Sequence, residues 1–340
     1  MVRSYLQRKV YKHLTGENRL SLDNTILSEA DLKAKFEKIN ELGIYLHIPF
    51  CRQICPYCPY NKVLYDHDLA ERYKAAVMGE TDYYASIAGN RPVTSFYIGG
   101  GTPTTMIKNG LEEIISHIYR SFNMQCSVHI ESHPNDLTLE NLNIIKKLGV
   151  KYLSIGVEAL QDKHLRNLKR PYTTNEVKQS VSRAVNMGFD CVNVDYIFAL
   201  PGQTCSEIEE AGNEMVKLGI HQAATYPLFH FPYTRMGKDI NNHKPTLSLL
   251  LKRRKMLGIL EEIFYNAGFL RSSVWAFTKR GTEKYCSVTV PLYLGLGAFI
   301  LLVVLPLALA LLESLYVACR PERDEKKVLS AEKKGLSAED

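Results

Sequence analysis

The sequence predicts an α/β fold: an open partial (β/α)6 barrel of parallel strands with helices outside, plus an atypical hydrophobic C-terminal segment. Two observations carry this. Six short apolar runs closed by Gly or Pro alternate with five stretches of helical length and period, and such alternation belongs to parallel sheets built from strand–helix units. The runs are apolar almost without interruption, so both faces of the sheet must be covered. At 340 residues the chain is long enough to bury such a core and still carry an appendage.

Residues 1–42 form a polar, charged lead-in, in which Ser28 and Asp31 fit a capping box. Residues 43–235 hold the barrel. Strands are expected at Tyr45 to Ile48, Ser95 to Ile98, Ser127 to Glu131, Tyr152 to Val157, Cys191 to Ile197 and Gln222 to Pro227. Helices are expected at Asp68 to Ile87, Asn109 to Phe122, Leu139 to Leu148, Thr174 to Met187 and Ser206 to Leu218. Residues 236–297 extend the core through a basic helix, Leu247 to Ala267. Ligands of such sheets bind at the carboxyl ends of the strands.

The last part, 298–340, is a hydrophobic segment and a charged tail. No residue from Cys286 to Leu312 is charged, a longer run than the roughly 20 apolar residues that cross a bilayer. Residues 298–318 are therefore a candidate for membrane association, with barrel closure or a foreign end left by truncation or fusion as alternatives. Basic residues from Arg320 to Lys334 follow, and the positive-inside tendency puts them in the cytoplasm. The net charge of +6 is spread along the chain without a long basic run, so nucleic acid is not an expected partner.

Chemistry concentrates just after the first strand, where Cys51, Cys55 and Cys58 are spaced for one loop to wrap a metal centre. A [4Fe-4S] cube held by three thiolates leaves one iron open to a small-molecule ligand. On spacing alone, structural zinc with His47 as fourth ligand and plain loop thiols stay open. Three cysteines in a chain without a signal peptide do not suit a disulfide framework, which points to a reducing, cytoplasmic setting. Cys126, Cys191, Cys205, Cys286 and Cys319 show no paired metal spacing and read as buried or incidental thiols.

The run Cys51-x-x-x-Cys55-x-x-Cys58, with an aromatic at Tyr57, resembles the motif of the radical S-adenosylmethionine (SAM) superfamily. Tyr45-Leu-His-Ile-Pro-Phe, Gly99-Gly-Gly-Thr-Pro103, Ser154-Ile-Gly-Val-Glu158 and Asp195-Tyr-Ile-Phe-Ala-Leu-Pro-Gly-Gln-Thr204 resemble its branch around oxygen-independent coproporphyrinogen III dehydrogenase. That branch also holds haem chaperones and methyltransferases. The likeness runs from Gly43 to Gly297 and stops at Ala298, where relatives continue into a helical domain that covers the site.

The resemblance implies that the three cysteines hold a [4Fe-4S] cluster whose open iron chelates SAM, and that reduction of SAM yields a 5′-deoxyadenosyl radical. It implies SAM contacts from Gly100, Gly101, Thr102 and Glu131, with Tyr45 lining the pocket. Tyr57, Arg170 and Asp195 fall where the dehydrogenase contacts a second SAM. Glu158 stands where the family carries a glutamine, Tyr60 where the dehydrogenase has a fourth cysteine, and Phe229 where it has a small residue. The departures at Tyr60 and Glu158 point away from the dehydrogenase itself, and Phe229 points to a reshaped pocket near the first SAM. Expected partners are a tetrapyrrole or haem-related molecule and a low-potential electron donor such as flavodoxin or ferredoxin. His230 and Tyr233, past the sixth strand, face substrate or solvent, and Trp275 is core or pocket wall. A radical SAM oxidoreductase or methyltransferase, a non-catalytic haem chaperone and a truncated inactive homologue all fit this pattern.

Overall fold

The computed structural model describes residues 28–229, 231, 233–240, 247–283, 285, 290 and 292–298. The chain divides into two compact units, 1–39 and 40–340. In the first, helix α1 (Glu29–Phe36) opens on the expected capping pair. The Ser28 hydroxyl donates to Asp31 Oδ2 at 2.6 Å, and the Asp31 N–H donates to the Ser28 hydroxyl at 3.1 Å.

The second unit runs in order through β1 (Leu42–Ile48), β2 (Phe50–Cys51), β3 (Val63–Leu64), α2 (His67–Ala88), β4 (Pro92–Gly100), α3 (Leu111–Ser121), β5 (Asn123–Met124), β6 (Val128–Ser132) and α4 (Leu139–Lys147). It continues with β7 (Val150–Glu158), α5 (Asp162–Asn167), α6 (Thr174–Asn186), β8 (Cys191–Phe198), α7 (Cys205–Lys217) and β9 (Gln222–Pro227). Then come α8 (Arg235–Ile240), α9 (Leu247–Asn266), β10 (Phe269–Arg271), β11 (Ala276–Lys279) and β12 (Tyr293–Gly297).

All six expected strands form, and they stand side by side and parallel in the order β1, β4, β6, β7, β8, β9. This is the α/β barrel-type sheet that the alternation predicts. It extends further than expected. β12 adds in parallel beside β1, while β11 pairs antiparallel with β9 and carries β10 on its outer edge. These strands of three to five residues are too short, and β12 too glycine-rich, to show in the pattern of apolar runs.

Burial explains why the strands read as they do. Every residue of β1 is buried, as expected of a strand covered on both faces. Tyr45, Tyr97, Tyr152, Cys191 and Tyr285 form one buried cluster, and the half-buried His129 ring stacks on its Tyr152 at 4.1 Å. Helix α3 buries Leu111, Ile114, Ile115 and Ile118 at helical spacing. Helices α6 and α7 each start at a reciprocal capping box, Thr173 with Glu176 and Thr204 with Glu207. α9 lies against α7, close enough that a Cβ on Gly212 would come within 2.8 Å of Ile263.

Among the described residues no helix is long and apolar enough to cross a membrane. The apolar run from residue 299 onward, on which membrane association rests, lies outside the described residues. So do His230, Cys286 and Cys319.

Candidate functional site

The three cysteines lie on a loop with a tied neck. Parallel pairing of β2 with β3 brings Val63 N–H to the Pro49 carbonyl at 2.8 Å and Tyr65 N–H to the Cys51 carbonyl at 2.9 Å. Inside the loop the Cys58 N–H reaches the Cys55 carbonyl at 3.4 Å. The Lys62 ammonium caps the carbonyls of Cys58 and Tyr60, both at 2.8 Å.

The glycine stretch after β4 lies directly on this neck. Gly101 N–H donates to the Ile48 carbonyl at 2.7 Å, and Thr102 N–H to the Phe50 carbonyl at 2.8 Å. A Cβ on Gly101 would lie 2.7 Å from the Pro49 carbonyl carbon and oxygen, and Gly100 has φ +116 with the Ile48 carbonyl 2.8 Å from where its Cβ would stand. Only glycine permits both the approach and the backbone angle. Two thiols meet polar partners at this junction. The Thr102 hydroxyl donates to Cys51 Sγ at 3.5 Å, and Arg170 Nη1 donates to Cys55 Sγ at 3.2 Å. Burial pushes the Cys51 thiol up and the Cys58 thiol up to about 11. All three cysteines are free.

Carboxylates at the carboxyl ends of the neighbouring strands form the other wall. Glu131 on β6 accepts from the Tyr97 hydroxyl at 2.7 Å and from Gly100 N–H at 3.2 Å. Glu158 ends β7 at φ +65, a strained angle for a side-chain-bearing residue. Its carboxylate stands 3.8 Å from Arg170 Nη2, and Arg170 and then Tyr57 act to lower its carboxyl against the effect of burial. Asp195 on β8 accepts from the Ser154 hydroxyl at 2.7 Å and the Asn193 amide at 3.1 Å. Burial raises all three carboxyls, Asp195 to about 7, and Glu158 and Glu131 push it further in the same direction. Burial alone acts to discharge Arg170, but the Glu158 carboxylate beside it offsets this and the guanidinium stays protonated.

The profile of the Radical SAM superfamily matches residues 45–215, half of the chain. The chain belongs to the radical SAM superfamily. Within it the likenesses fall in the branch around oxygen-independent coproporphyrinogen III oxidase. The chain is 29% identical over 260 residues to the haem chaperone HemW of Bacillus subtilis, covering 75% of this chain and 69% of that one. It is 27% identical over 194 residues to the oxygen-independent coproporphyrinogen III oxidase of Salmonella typhimurium, spanning 56% of this chain and 42% of the oxidase. Among solved structures, coproporphyrinogen III oxidase (HemN) from Escherichia coli shares the fold at a TM-score of 0.69 and 22% identity, over 76% of this chain and 60% of that one. The chain thus spans about two thirds of the Bacillus subtilis chaperone and, in sequence, 42% of the Salmonella typhimurium oxidase.

The cofactors of radical SAM proteins are a [4Fe-4S] cluster and SAM, and the donor set here fits both. Three free thiols on one loop suit a cube in which each thiolate holds its own iron, and the backbone cradle at Gly100 and Gly101 is one that a Cβ would fill. The zinc alternative does not fit. His47, its fourth ligand, has both ring nitrogens engaged, Nδ1 with the Tyr45 hydroxyl at 3.1 Å and Nε2 with the Asn61 carbonyl at 2.9 Å. Among the described residues no three His, Cys, Asp or Glu side chains, the three loop cysteines included, stand close enough together to share a single metal ion.

The structure gathers Cys51, Cys55, Cys58, Gly100, Gly101, Thr102, Glu131, Glu158 and Arg170 into one region linked by these contacts, with Tyr57 and Asp195 within electrostatic range of Glu158. Tyr45 stands a step beneath, its ring stacked on Tyr97 at 5.9 Å. Trp275 contacts Phe198 and Phe229 at centroid distances of 6.2 and 6.3 Å, as a wall residue would. Sequence reasoning missed Asp136, which is buried and accepts from both Arg52 in the cysteine loop and the Thr104 hydroxyl, the latter at 2.6 Å. It also missed Tyr172, whose hydroxyl donates to the Gly156 carbonyl at 2.7 Å and accepts from Arg170 Nε at 2.6 Å. Neither lies in a motif with recognisable spacing.

Proposed function

We propose that Cys51, Cys55 and Cys58 hold a [4Fe-4S] cluster and that the chain is an enzyme that cleaves SAM and acts on a tetrapyrrole or related aromatic molecule. When bound, the cluster and SAM supply one-electron reduction of the sulfonium and a 5′-deoxyadenosyl radical. The residues of the chain bind and orient. Gly100, Gly101 and Thr102 offer a backbone cradle, and Glu131 gives a carboxylate for a cationic group at its rim. Glu158, Asp195, Arg170 and Tyr57 form the far wall, with Tyr45 beneath. The observation that carries this reading is the junction of Thr102 with Cys51: the glycine cradle and the first thiol share one backbone ladder and touch through a hydroxyl at 3.5 Å. A low-potential donor such as flavodoxin or ferredoxin would supply the electron. Residues 43–235 are the proposed core and 236–297 its extension.

Anaerobic reconstitution with iron and sulfide, then dithionite and SAM, tests the reading. It is expected to give 5′-deoxyadenosine that disappears in Cys55→Ala. A second reading, a haem chaperone that keeps the cluster without turnover, is favoured by the likeness to HemW over 69% of that protein's length. Stoichiometric haem binding with no 5′-deoxyadenosine would select it.

A further inference from the structure

Arg170 is held on three sides. Its Nε donates to the Tyr172 hydroxyl at 2.6 Å and its Nη2 to the Gly156 carbonyl at 2.9 Å, while Tyr172 closes the triangle by donating to the same carbonyl. The guanidinium also lies over the Tyr172 ring, 5.0 Å from its centroid. With the plane of the fork fixed and the side chain only 8% exposed, Nη1 is left directed at Cys55 Sγ, 3.2 Å away. A guanidinium keeps its charge even when buried. Arg170 therefore presents a permanent, preorganised cation to one ligand sulfur, and the Glu158 carboxylate, 3.8 Å from Nη2, is its counter-charge.

We infer that Arg170 is a positioning residue for the Cys55 thiolate which raises the reduction potential of the cluster, with Glu158 limiting that rise. The inference rests on the cluster reading above. Reduction adds an electron to the cluster, and a cation within hydrogen-bond distance of a ligand sulfur stabilises the reduced form more than the oxidised one. Hydrogen bonds to cluster sulfurs are among the principal levers on potential. An anion beside that cation works in the opposite direction. The two residues thus have opposite signs, which a merely structural role does not produce.

The test is an EPR-monitored redox titration of the reconstituted full chain without SAM. Arg170→Met is expected to shift the midpoint to more negative values, Arg170→Lys to fall between it and the wild type, and Glu158→Gln to shift the midpoint to more positive values. Should Arg170→Met take up less iron, the Lys and Gln variants carry the comparison. Midpoints unchanged in these variants, or moving in the same direction for Arg170 and Glu158, would overturn the inference while leaving the cluster in place. A wild-type chain that takes up no cluster overturns it together with the proposed function.

Discussion

Thr102 faces two ways: its N–H donates to the Phe50 carbonyl at 2.8 Å while its hydroxyl donates to Cys51 Sγ at 3.5 Å. The turn after β4 and the start of the cysteine loop are therefore one unit of backbone. A change in either is felt by the first thiol.

Gly101 is where that unit is most sensitive. An alanine Cβ would lie 2.7 Å from Pro49 backbone atoms and 2.8 Å from the Phe50 carbonyl, and backbone cannot step aside as a side chain can. Gly101→Ala is expected to cost about 1–3 kcal/mol of stability and to reduce iron per chain after reconstitution. Gly258→Ala, on α9 with nothing within 4 Å of its Cβ, should stabilise by about 0.5–1 kcal/mol through helix propensity. Urea denaturation of the two variants distinguishes steric conflict from a general intolerance of substitution.

Asp136 ties three segments together. Buried itself, it accepts from Arg52 beside the first cysteine and from Thr104 beyond the glycine turn. Asp136→Ala leaves the Thr104 hydroxyl buried without its acceptor, at a cost of about 1–3 kcal/mol. It also releases Arg52, so iron should be lost to a chelator faster than from the wild type. An unchanged rate of iron loss would show that the loop is held by its β2–β3 neck alone.

The barrel was legible in the sequence because its signals are local. Each core strand is a short apolar run with a turn residue after it, and each cysteine of the loop lies within seven residues of the others. The contacts that complete the site are not local. Arg170 stands 115 residues from Cys55, and Asp136 84 residues from Arg52. A side chain brought to a thiol by three crossovers of the fold leaves no period or spacing to read. His47 shows the converse, since its distance from Cys51 suits a ligand while its ring nitrogens are committed to Tyr45 and Asn61.

Asp195 makes the chain without cofactors pH-sensitive. Burial first, then Glu158 and Glu131, raises its carboxyl from 3.8 to about 7, against the hydrogen bonds from Ser154 and Asn193. Across that interval the folded chain retains a proton that the unfolded chain has released. Its contribution therefore disfavours the fold increasingly as pH rises from about 4 to 7 and levels off above, a change on the order of 4 kcal/mol. Urea denaturation at about pH 5 and pH 8 is expected to show this loss, and Asp195→Asn to flatten it. An equal slope in the variant would place the titration elsewhere.

The remaining thiols provide an internal control for the cluster assignment. Cys126 and Cys205 are half-buried and lie outside the loop, and Cys191 is buried against the tyrosines of the core. Cys126→Ser and Cys205→Ser are expected to keep the wild-type iron and sulfide content, whereas Cys51→Ala, Cys55→Ala and Cys58→Ala each lose most of it. Cys191→Ser separates stability from ligation. A hydroxyl placed in that apolar setting should cost about 1–3 kcal/mol in denaturation and yet leave the iron content of the folded fraction unchanged. Loss of iron in Cys191→Ser at full folding would mean that a thiol outside the loop takes part in holding the metal, and the three-cysteine site would have to be redrawn.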